Sequence, residues 1–95
     1  MAGRLVRITA DDAVLDGAPR IEGRRIGVLQ LHEEVEGRGD DPRTVANRYD
    51  LDVAAVYRAL AYYHEHPREM ERVRERRQER VEAARSDALT RAELG

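Results

Sequence analysis

The run Asp16-Gly17-Ala18-Pro19-Arg20-Ile21-Glu22-Gly23-Arg24-Arg25-Ile26 constrains the fold more than any other stretch of this chain. A glycine stands at each end of a short extended piece, and Ile21 and Ile26 bracket a pair of arginines. Glycine permits positive φ or close backbone approach, while Pro19 fixes its own φ and biases Ala18 toward extended geometry. The reading is a tight backbone path that leads into a first helix. Upstream, Leu5 to Thr9 alternates as a short strand with Val6 and Ile8 on one face, and Asp11, Asp12, Asp16 and Gly17 form a polar turn region. Arg20 to Arg25 can hold a second extended piece with Ile21 pointing inward.

Downstream the period changes to that of helices. Val28, Leu31 and Val35 recur at three- and four-residue steps with His32 beside them, Glu33, Glu34 and Glu36 outside, and Gly37 and Gly39 as the stop. Asp41 caps a second helix and Pro42 suits its first position. Val45, Ala46 and Tyr49 face inward, Asp50-Leu51-Asp52 is a turn, and Asp52 caps a third helix. That helix carries Val53, Val56, Tyr57, Leu60 and Tyr63 or His64 as its stripe. A helix of about eight residues, a three-residue turn and a longer helix is the spacing of a helix-turn-helix. The turn lacks the usual glycine.

Pro67 opens a fourth helix. Arg68, Arg72, Arg76 and Arg80 recur every four residues, each of the first three followed after three residues by Glu71, Glu75 or Glu79. Such pairs support a solvated helix by roughly 0.2–0.5 kcal/mol each. Met70, Val73, Val81, Ala84 and Ala88 fall on one seam about 80° wide, with Arg77 inside it. Ser86-Asp87 can cap a last turn bearing Leu89 and Leu94. The expected fold is mainly α: a winged-helix-like trihelical helix-turn-helix domain over residues 1–66, with a short N-terminal β element, then a charged helical tail over 67–95 that binds a partner.

Composition removes several functions. With no cysteine there are no disulfides, thiolate metal sites or cysteine nucleophiles. No apolar run approaches a membrane span and no leader precedes a cleavage site, so a cytoplasmic protein is expected. The net charge of −2 gives no global field for nucleic acid, so any DNA contact must be local. All the cations are arginine, the residue for planar, bidentate pairing with carboxylate or phosphate. His64 and His66 stand two apart and cannot share a helix face, His32 packs on the first helix, and no metal or cofactor is expected. Ser86 has no base near it, and the aspartates sit at turns and helix starts, so no catalytic residue and no enzyme is expected.

For DNA, a third helix in the major groove would present Asp52, Ala54, Ala55 and Arg58, with Arg43 and Arg48 on the backbone. Asp50 and Asp52 would repel phosphate. Arg4, Arg7, Arg20, Arg24 and Arg25 offer a second phosphate-binding surface that a dimer would double. The tail would engage a protein through Met70, Arg72, Val73, Arg76, Arg77, Arg80 and Val81. A lone guanidinium on a burying seam, Arg77, requires an acidic partner.

The pattern Asp11-x-x-Val14-x-x-Gly17-x-Pro19-x-Ile21-x-Gly23-x-Arg25-Ile26-x-Val28, then Val45-Ala46-x-x-Tyr49, then Val56-x-x-Ala59-Leu60-x-Tyr62-Tyr63, resembles the family called domain of unknown function four-three-three. The resemblance covers residues 5 to about 66. One departure is Arg24, where the family usually has threonine. The resemblance implies a small helix-turn-helix protein of the VapB antitoxin type, encoded beside a PIN-like ribonuclease toxin. Its N-terminal domain would form a homodimer and bind operator DNA, autoregulating transcription, while its tail masks the toxin. PIN-type nucleases hold their metal with carboxylates, and an arginine from Arg72, Arg76, Arg77 or Arg80 placed there would compete with the cation. Two rivals stay open: a stand-alone helix-turn-helix transcription regulator, and a module that binds protein only.

Overall fold

A computed structural model describes residues 6–94, with side chains through Arg91. Arg4 and Leu5 lie outside the described residues. Strand β1 (Ile8–Thr9) pairs antiparallel with β2 (Arg20–Ile21), Ile8 opposite Ile21 and Thr9 opposite Arg20. Between them the chain reverses through a left-handed turn in which Leu15, Asp16 and Gly17 all have positive φ. At Gly17 a Cβ would meet Asp12 Oδ1 at 3.1 Å, so glycine answers both a conformational and a spatial demand. A β-turn follows β2, closed by Arg24 N–H on the Ile21 carbonyl, with Gly23 at φ +80°. These turns bring Ile21 into the core, as the sequence predicts, and Ile26 with it.

Helix α1 (Val28–His32) starts from extended Gly27 and continues as one π-helical turn, Glu33–Gly37, in which Arg38 N–H bonds the Glu33 carbonyl five residues back. The wider turn displaces side chains from their α-helical directions. Glu36 stays outside as expected, but Glu34 is buried, at 8% exposed. Helix α2 (Pro42–Arg48) has Pro42 at its first turn and Asp41 as cap, its carboxylate accepting the Arg43 N–H at 2.8 Å. The helix ends on Asp50 in the left-handed region at φ +54°. Leu51 N–H bonds the Ala46 carbonyl and Asp50 N–H the Asn47 carbonyl, the paired bonds of a Schellman ending. Aspartate thus occupies the place where a helix-turn-helix turn usually has glycine. Asp52 begins helix α3 (Val53–Glu65) without a side-chain bond to it.

Val28, Leu31, Val45, Val56 and Ala59, at 0% exposure, form the centre of the core, with α3 packed against both α1 and α2. Helix α4 (Pro67–Leu94) begins at Pro67 as predicted and runs without a break through Ser86-Asp87, which therefore cap nothing. Its first two turns belong to the body. Met70 (1% exposed) and Val73 (6%) are members of the same core, so the boundary expected at residue 66 falls inside the folded unit. From Arg74 onward every α4 side chain described is exposed. The chain measures 60 × 25 × 22 Å, and its radius of gyration of 15.7 Å exceeds the roughly 12 Å of a compact domain this long.

Candidate interaction site

The residues expected to touch DNA divide into two groups. Arg43, Arg25 and Ala54 are exposed, and neither arginine pairs with an acid among the described residues. The others are committed within the fold. Ala55 is 1% exposed and packs in the core, so it cannot reach a groove. Arg58 donates to the Val6 carbonyl at 3.0 Å and ties the N-terminal segment to α3. Arg24 donates to the Tyr49 and Asp50 carbonyls, fastening the Gly23 turn to the end of α2. Arg24 thus clamps this turn to α2, a span that a short hydroxyl side chain could not bridge. Arg48 pairs with Glu34 and Asp40.

Those last contacts form a network the sequence did not reveal. Buried Glu34 receives Arg48 and the Tyr49 hydroxyl, Gln30 donates to Tyr49 Oη at 2.9 Å, and Arg38 pairs with Asp40 at 2.5 Å. The hydrogen bond from Arg38 holds the Asp40 carboxyl below its usual range, with Arg48 helping. This network cross-links the π-helical turn to α2. Glu34 is satisfied as a buried carboxylate must be, by a guanidinium and a hydroxyl together.

The residues expected on the toxin-binding face divide in the same way. Met70 and Val73 are core residues and unavailable. Arg77 has the acidic partner its position demands, but in the same chain: Nη1 and Nη2 donate to the two Glu33 oxygens at 2.5 Å each. That fork lowers the Glu33 pKa and raises that of Arg77, the hydrogen bond being the main cause in each. The expectation that Arg77 projects into a partner is therefore corrected. Arg80 contacts Asp16, both well exposed. Arg72, Arg76 and Val81 remain exposed on α4, with Val81 at 50%.

An open groove of about 750 Å³ runs between the Leu15–Gly17 turn, α1 and α4. Leu15, Ala18, Leu29 and Val73 line it, with Arg25, Arg77 and Arg80. Beyond this groove α4 carries Val81, Ala84, Ala88 and Leu89 (61% exposed) with nothing packed on them among the described residues. Apolar groove and bare helix are continuous along one element. Where α1 meets the end of α3, His32, Glu36 and His64 converge, although only the pair His64 and His66 draws notice in the sequence. The signal for the first two is the i,i+4 spacing on one helix; nothing local announces His64. Among the described residues no helix is long and apolar enough to cross a membrane.

No curated protein and no solved structure matches this chain. A family model does, over residues 8–63, more than half of the sequence and the whole span from β1 nearly to the end of α3. With the glycine turns, the α2–α3 pair and that match together, the chain belongs to the family described as Protein of unknown function (DUF433).

Proposed function

We propose that this protein is the antitoxin of a type II toxin–antitoxin pair, a cytoplasmic homodimer whose outer α4 segment is covered by a PIN-like ribonuclease. The observation that carries the reading is the outer part of α4: Val81, Ala84, Ala88 and Leu89 stand in water on a helix that its own body leaves bare. A segment with this density of arginine and glutamate is well solvated, yet its outer apolar residues, from Val81 onward, are not buried by the fold. A partner that lays a groove along it would bury them, the helix-in-groove mode of recognition. Arg72 and Arg76, exposed and without an acidic partner among the described residues, are the guanidiniums available to a carboxylate cluster on that partner. Arg77 and Arg80 instead hold the root of the helix in place.

DNA binding is the secondary reading. It rests on Arg43 and Arg25, both exposed, while the outward face of α3 offers Asp52, Ala54 and Tyr57. That face is acidic to neutral and suits protein better than phosphate.

The test is co-expression with the protein encoded beside it, scored by cell survival. The full chain protects. A chain ending at Arg80, which keeps the Asp16 contact, melts like the full chain yet fails to protect, and the double variant Arg72→Ala, Arg76→Ala protects poorly. Equal protection by the shortened chain, or a neighbour without nuclease activity, would overturn the proposal.

A further inference from the structure

His32 and Glu36 sit four residues apart on the α1 helix and its π-helical extension, and His64 reaches them from the last turn of α3. His32 Nδ1 lies 2.9 Å and His64 Nε2 2.7 Å from the same oxygen, Glu36 Oε1. All three donor atoms lie within 4.8 Å of one another. From this convergence we infer that His32, Glu36 and His64 form a binding site for a borderline divalent cation, zinc being the expected occupant.

The donor set is two imidazoles and one carboxylate, the combination that suits zinc and nickel and disfavours magnesium and calcium, which take oxygen. Bonds of about 2.0–2.2 Å to a common ion in tetrahedral geometry place neighbouring donors about 3.3–3.6 Å apart, so a small outward rotation of the exposed His64 and Glu36 side chains from their hydrogen-bonded separations of 2.7 and 2.9 Å admits the ion. The geometry of the ligands is also supported from behind. The His32 ring stacks on Tyr63 at 3.5 Å between centroids and 8° between planes, which holds the plane of the imidazole. The π-helical turn is a second indication, because such turns recur at functional sites, and here it carries Glu36. Three ligands leave coordination positions open to water, since His64 is 60% and Glu36 39% exposed. The ion would join α1 and its π-helical extension to the last turn of α3. It requires neither a partner protein nor the antitoxin reading.

Binding also has a chemical consequence. His32 and His64 face a carboxylate oxygen, so at least one donates a proton to it in the metal-free protein. Each must present a lone pair to the ion, and loading displaces those protons.

The experiment uses untagged full-length protein and zinc chloride alone, read by melting temperature and by the histidine ring signals in NMR. Zinc raises the melting temperature in proportion to the logarithm of its concentration. It moves the ring signals of His32 and His64 and leaves those of His66. The exposed-residue variants His64→Gln and Glu36→Gln, which should fold normally, weaken zinc binding by roughly tenfold or more, at least what losing a merely supporting group costs elsewhere. His66→Gln binds as wild type, and magnesium gives no response. Absence of a zinc response, an undiminished response in His64→Gln, or movement of His66 in place of His32 would each refute the site.

Discussion

Replacing Met70 with alanine tests whether the root of α4 is part of the body. The side chain is 1% exposed and lies in the same cluster as Ile21, Leu31 and Val56. Truncating a buried methionine costs about 2–5 kcal/mol, the transfer of its methylenes plus the cavity left behind. At about 3 kcal/mol, within that range, a domain this small loses a large share of its total stability. A shift of about 4–8 °C per kcal/mol puts the fall in melting temperature at about 12–24 °C. Val81→Ala, on the same seam but 50% exposed, should change stability by less than about 0.5 kcal/mol. Thermal melts by far-ultraviolet circular dichroism at one fixed protein concentration compare the two, which keeps any oligomerisation constant. If Met70→Ala melts within a few degrees of wild type, helix α4 is not seated on the core and the division of the helix proposed here fails.

Glu33 has its pKa depressed by Arg77, so the pair stabilises the fold above the ordinary glutamate range and loses that contribution as pH falls through the folded value. Both side chains are more than a third exposed, so the effect is under about 1 kcal/mol; urea midpoints of wild type and Arg77→Gln should differ near neutral pH and converge as pH falls below the depressed Glu33 value. Arg24→Ala removes two bonds to the carbonyls of Tyr49 and Asp50, and should cost about 1.5–3 kcal/mol in chemical denaturation. Asp50→Gly, at a left-handed residue, should raise the melting temperature by the equivalent of about 1 kcal/mol, whereas Asp50→Val lowers it.

Much of the architecture was legible because the relevant physics is local. The Asp41-Pro42 start, the positive-φ glycines at 17 and 23, and the helical periods of Val28 and Leu31 each act within a few residues. The placement of Glu34 was not legible, because one extra residue per turn at Glu33–Gly37 redirects side chains that a uniform period of 3.6 places outside. Arginine was the other obstacle. Its long side chain lets Arg77 meet an acid 44 positions away and Arg58 a carbonyl 52 positions away. A list of arginines by helix face therefore confuses those free to bind with those that hold the fold. The seam on α4 misled for a related reason: Met70 and Val81 share a face, but the body ends between them.

Amide hydrogen exchange along α4 of the free protein tests the central claim most directly. The account predicts a step: amides from Met70 to Arg77 protected as strongly as the Val56 region, and amides beyond Val81 exchanging fast, since a short charged helix alone is only marginally stable in water. Even protection from Met70 through Leu89, or none at Met70, would contradict it.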